Sequence, residues 1–297
     1  MRSILIAVSA WCGLFGPAAV AQEEKREPAQ VLAPFVNDAT IAAVEIDAKN
    51  VDFDAIFSHL AKPKLFTTQA AELAEQKNAA KQLRDRFLRA GGRHIYFVFS
   101  LSENVLAVPQ PLILIPAETA QAREAFTEFL KGPGALEVET RGGLIVAGVK
   151  ERLESLRRLQ AKEVPQLAPA FAAVSAFPQR AVLLLPGTLR RAVEELMPRL
   201  PDMLGGGPSA PLTRGLQWLA VGLDLSEKFQ GQVLAQAENA ADAAKLDEIG
   251  RRALELSLKE ARLPAELAQV LRTKREGNRL ELKIEGKAID EALLTMT

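Results

Sequence analysis

The side chains able to do chemistry are few. His59 and His94 are the only imidazoles in the 297-residue chain, and Cys12 is its only thiol. An imidazole base or metal ligand needs company, either a second ligand about one helical turn away or a nucleophile and an orienting carboxylate within reach. His59 reads as a helical residue beside Phe57 and Leu60, and neither histidine belongs to an H-x-x-x-H pair or follows a G-x-S-x-G elbow. Both are therefore expected to be ordinary half-buried or surface histidines. Asp47, Asn50, Asp52 and Asp54 have the oxygen content of a calcium loop, yet counted from Asn50 the glycine and glutamate places of an EF-hand hold Ala55 and Ala61. The same residues suit a helix start, with Asn50 as N-cap and Asp52 and Asp54 in the first turn at the positive end of the helix dipole. Gly132-Pro133-Gly134, Gly142-Gly143 and Gly205-Gly206-Gly207 lack the lysine or spacing of a phosphate loop and read as turns. The pairs Arg157-Arg158, Arg190-Arg191 and Arg251-Arg252 have acidic neighbours, the pattern of a solvated helix face. No catalytic, cofactor-binding or metal-ligating group is expected. The leading expectation is a non-enzymatic binding or scaffolding protein. Its rival is an exported hydrolase whose carboxylates only the fold brings together.

Charge and termini narrow the partners. Lys and Arg together number 37, as do Asp and Glu, and no basic run stands out. Nucleic-acid affinity comes largely from phosphate neutralisation, so this balance argues against a nucleic-acid partner. The N-terminus carries Arg2, an apolar run from Ile4 to Phe15, Pro17, and Ala19-Val20-Ala21 before Gln22. That pattern predicts a signal peptide over residues 1–21, cleaved between Ala21 and Gln22. The run is too short to span a bilayer, and no later segment is long and apolar enough to do so. The expected mature chain is exported to the periplasm or beyond, spans no membrane, and forms no disulfide because Cys12 leaves with the signal. Its expected partner is a protein or another component of the cell envelope.

The elements that must position these residues follow a polar leader over 22–37, expected to be flexible. ATIAAVEID (39–47) reads as a strand, 50–60 as a helix, and 66–90 as a further helix closed by Gly91-Gly92. GGRHIYFVFSLSE (91–103) alternates, with Ile95, Phe97, Phe99 and Leu101 on one side and His94, Tyr96, Val98 and Ser100 on the other. PLILIP (111–116) is a strand, 119–134 a helix opened by Thr119, 135–149 a hairpin turning at Gly142-Gly143, and 150–159 a helix. The order then recurs. GGRHIYFVFSLSE finds its echo in GLQWLAVGLDLSE (215–227), and PAETA (116–120) in QAENA (236–240). The predicted fold class is α+β: two sequential copies of a β-α-β-β-α-β-β-α unit in ferredoxin-like, split βαβ order. Its sheets are mainly antiparallel, with helices packed on one face. The first repeat spans 38–165 and carries the extra helix 66–90; the second spans 166–297.

Aligning the repeats sets His94 against Trp218, Tyr96 against Ala220 and Val98 against Gly222. Ile95, Phe97 and Phe99 then match Leu219, Val221 and Leu223. The second set is apolar in both copies, which predicts the core face. His94, Tyr96 and Trp218 fall on the other face, covered by local structure with helix 66–90 as a lid, or else exposed as a partner face, since Tyr and Trp are enriched at binding hot spots.

The signal peptide followed by FVNDATIAAVEID, with GGRHIYFVFSLSE and its echo, resembles uncharacterised secreted proteins of planctomycete-type bacteria. The resemblance implies export and repetition, and it brings no catalytic residues.

Overall fold

Successive side chains of a strand point to opposite faces, and among the described residues ten strands join one antiparallel sheet. The computed structural model describes residues 27–61, 70–101, 109–131, 136–227, 229–260 and 266–288. The strands are β1 Thr40–Asp47, β2 His94–Ser100, β3 Pro111–Pro116, β4 Glu137–Arg141, β5 Leu144–Gly148, β6 Gln179–Leu184, β7 Leu216–Asp224, β8 Gln230–Ala237, β9 Thr273–Glu276 and β10 Arg279–Glu285. Their order is β4-β5-β3-β2-β1-β6-β7-β8-β10-β9. The α-helices are α1 Pro28–Leu32, α2 Phe53–Ala61, α3 Ala70–Arg89, α4 Ala120–Leu130, α5 Lys150–Arg158, α6 Leu167–Ala173, α7 Gly187–Leu196, α8 Ala240–Glu260 and α9 Glu266–Val270.

The α+β class stands, but the layout departs from the ferredoxin-like one. A split βαβ needs parallel neighbours joined by helical crossovers, whereas β1, β2 and β3 are consecutive antiparallel neighbours. The seam between the halves is the antiparallel pair β1–β6, in register from Ala42 opposite Leu183 to Ile46 opposite Gln179.

Helices also cover both faces of the sheet, not one. On the first face, Ala43, Tyr96, Val98, Leu112, Leu114, Val182, Trp218, Ala220 and Leu234 form the largest core with Leu32 of α1, Leu153 and Leu156 of α5, and Phe171 of α6. The described part of the expected flexible leader is therefore ordered instead: it folds into α1 and a 3₁₀ turn over Ala33–Phe35, because Val31, Leu32, Phe35 and Val36 are apolar and close this core. The opposite face is covered towards its flanks. Phe87 of α3 and Phe126 of α4 pack over Ile115, Ile145 and Ala147 on one side, and Ala243 and Leu246 of α8 pack over Ala237 and Leu280 on the other. Local chemistry at several ends is as the sequence suggests. Thr119 caps α4 by accepting from Ala122 N at 3.0 Å, and the β4–β5 turn has positive φ at Gly142 and Gly143, 58° and 80°. The cap of α2 is Asp52, which accepts from Ala55 N at 3.0 Å, and not Asn50. The chain first makes a short 3₁₀ turn over Ala48–Asn50 and a bridge from Val51 to Leu225, which delays the helix start.

Candidate functional site

Polar residues converge where β1 and β7 end and β2 and β6 begin. Glu45 stands opposite Tyr96 on one neighbour and Arg180 on the other, so all three point to the first, helix-covered face. Glu45 is 1% exposed. Arg180 Nε donates to its Oε2 at 2.5 Å, and Tyr96 Oη donates to Oε1 at 3.4 Å. His94 stacks on Tyr96 with ring centroids 6.2 Å apart and brings Nδ1 to 3.1 Å from Glu45 Oε1. The ring N–H would point off that line, so buried Nδ1 has no aligned hydrogen bond and the contact is Coulombic, an ion pair only when the imidazole is protonated. Burial pulls the Glu45 carboxyl up, but the adjoining His94 imidazole and the Arg180 guanidinium outweigh it and hold the group below the usual carboxylate range.

Beside this cluster, Asp47 accepts from Lys49 N and from Asn50 Nδ2 at 3.1 and 2.8 Å, and faces Arg93 at 3.5 Å. A cleft of about 770 Å³ opens over His94, Arg180 and Asp47, rimmed by Lys49, Arg84 and Asp224. Among the described residues no group of three His, Cys, Asp or Glu converges to hold a metal ion. The arrangement can orient an imidazole against a buried carboxylate at the base of a polar cleft. Sequence reasoning missed Glu45 and Arg180. The available signal was the alternation of ATIAAVEID, which sets Glu45 on the same side as Ala43.

The expected site residues separate. Tyr96 and Trp218 are 2% and 4% exposed and belong to the largest core, so they form no partner face. The strict alternation of β2 and β7 holds, but the sides are reversed. Helix α3 is no lid over them, because its Phe87 packs on the opposite face. Trp218 is instead flanked by the Arg279 guanidinium, 5.8 Å from its ring. His94 alone of the three lines the cleft. Arg190 is no solvated helix charge either: it donates to the carbonyls of Leu185 and Leu216 at 2.7 and 3.0 Å. Ala21 and Gln22 lie outside the described residues, as do Gly132-Pro133-Gly134.

The reversal leaves the central part of the other set of strand residues uncovered by the described helices. Straight across the sheet, Phe97, Val44, Ala181, Val221 and Val233 make one row. Phe99, Ala42, Leu183, Leu219 and Ala235 make a second, and Ile95, Ile46, Gln179, Leu223 and Gly231 a third. Most are half-buried, and Leu183 is 40% exposed. Only the outer members Ile95 and Ala235 pack against a flanking core; the central ones join none of the cores formed by the described residues. Gln179, the one polar member, has its amide committed to Asp47 N, Asp47 O and Asn50 O.

No protein-family model and no curated protein matches the chain. Among solved structures, crystal form I of TP0453 aligns over 89% of this chain and 97% of its own, at 10% identity and a TM-score of 0.38.

Proposed function

We propose that the chain is a non-enzymatic binding protein whose site is the open apolar face of its central strands. The observation that carries this reading is the row Phe97–Val44–Ala181–Val221–Val233, apolar on five adjacent strands and only half-buried. Apolar surface left in water is costly, at about 25 cal/mol per Å², so a ligand that covers a contiguous patch of it gains on binding. A solvatochromic apolar dye should bind the native protein saturably. Val221→Asp should abolish that binding while the far-ultraviolet dichroism stays unchanged, and dye binding indifferent to Val221→Asp would overturn the reading.

Two proposals accompany it. Export rests on the N-terminal pattern, and intact-mass analysis of secreted protein beginning at Gln22 would support it, whereas a retained residue 1 would refute it. Duplication of one α+β unit rests on strand order, since outward from the β1–β6 seam each half runs first, second, third, fifth, fourth. An experimental structure placing Tyr96 and Ala220 at different positions in their half-sheets would remove it.

The cleft favours one second reading, an exported hydrolase. The specific observation is His94 Nδ1 at 3.1 Å from the buried Glu45 carboxylate in a polar cleft. A hydrolytic activity lost in a folded His94→Gln variant would establish it. An activity that survives this change would exclude His94 as its base.

A further inference from the structure

Resting on the binding-face reading above, we propose that the open rows on β2, β1, β6, β7 and β8 bind the acyl chain of a lipid. Size is the first argument. Five strands about 4.8 Å apart and three rows about 6.7 Å apart give a window of roughly 19 by 13 Å, on the order of 250 Å². A stable protein interface takes about 800 Å² from each partner, so this window is too small for a folded partner or a second copy of the chain. An acyl chain fits it, because half of the roughly 30 Å hydrocarbon thickness of a bilayer, one lipid chain's share, is about 15 Å.

Chemistry is the second argument. The lining is aliphatic and phenyl, and its one polar side chain, Gln179, has its amide already bonded to Asp47 and Asn50. All five strands are interior to the sheet, so their backbone groups are paired and cannot recruit an added peptide strand. A polar or peptide ligand would find no directional partner there; a methylene chain needs none. Accessibility is the third. Apart from exposed Leu183 and from Gln179 and Gly231, which are buried, the row members stand half-buried between the flanking cores, within reach of a slender molecule and poorly placed against a broad protein surface.

The test titrates the purified protein with a fluorescent polyene fatty acid and competes it with hexadecanoate and decanoate. The expected result is one acid per chain, displaced by hexadecanoate. Affinity should fall by up to about fifteenfold for each two methylenes removed, the limit set by full burial of a hydrocarbon chain. Ala181→Phe fills the centre of the middle row and should weaken binding at least about tenfold. Leu196→Ser, on the exposed side of α7, should leave it unchanged. Val221→Asp challenges the same row by charge where Ala181→Phe fails to fold. Fatty-acid binding absent from the native protein, or untouched by whichever variant folds, overturns the acyl proposal. So does a concentration-dependent dimer that Val221→Asp dissolves. If the apolar dye still depends on Val221 in those cases, the binding face stands with another occupant; if it does not, both readings fall.

Discussion

Glu45 and Arg180 show how much a strand position can demand of its neighbours. A carboxylate 1% exposed is costly unless paired, and Arg180, itself nearly buried, is the partner standing opposite in register. Truncating one member strands the other, so Arg180→Leu should cost about 3–5 kcal/mol in urea unfolding, while Glu45→Leu with Arg180→Leu together should come close to wild type. A double variant as unstable as the single one would contradict this. The pH dependence has a definite sign. The Glu45 carboxyl lies lower in the folded protein than its ordinary 4.5, so the unfolded chain binds its proton first. Its contribution is therefore full above the ordinary carboxyl range and lost as pH falls through the depressed folded value. Glu45→Gln should flatten the acid limb of the stability profile, and an unchanged limb would assign acid unfolding to other groups. At this scale little was legible: the sequence shows a glutamate in an apolar strand but not its partner, because the strand carrying Arg180 lies far along the chain.

Within elements, the alternation of GGRHIYFVFSLSE and GLQWLAVGLDLSE was legible and its orientation was not. Tyr96 and Val98 on one side are as apolar as Phe97 and Phe99 on the other, so a period of two says which residues share a face and not which face is covered. Coverage is set by α1, α5 and α6, whose own sequences say nothing about the side on which they land. The repeat alignment set Val98 against Gly222, and the structure gives the difference a cause. A Cβ on Gly222 would meet the Phe177 ring at 2.4 Å, so the phenyl from the α6–β6 connection occupies the space that a side chain would need. Gly222→Val should destabilise by about 1–3 kcal/mol through overpacking, and Phe177→Ala in the same protein should recover part of it. Strictly additive effects in thermal unfolding would show that the two residues do not compete for one volume. Caps fared better than faces, since Thr119 needs only its own helix whereas the start of α2 depends on the distant Leu225.

Across the whole molecule, the order of elements could be read from turns and periodicity, but the β1–β6 seam could not, because Gln179 and Asp47 are 132 residues apart and no local pattern encodes their pairing. The seam has consequences for stability. The largest core draws Val31 and Leu32 from the start of the described chain together with Tyr96, Leu112, Leu153, Phe171, Val182, Trp218 and Leu234, so residues on both sides of the 165–166 boundary fill one volume. A fragment ending at residue 165 would lack α6, leave β1 as an unpaired edge and open the core around Ala43. The halves should therefore unfold together. Trp218 fluorescence, which reports on the second half, should melt with the far-ultraviolet signal of the entire chain in one transition. Val182→Asp places an unpaired charge at a 1%-exposed position of the shared core and should cost about 3 kcal/mol or more, lowering both signals in step. Two separated transitions, or a Val182→Asp variant in which Trp218 melts early while most helix and strand signal persists, would show that each half holds itself together without the seam.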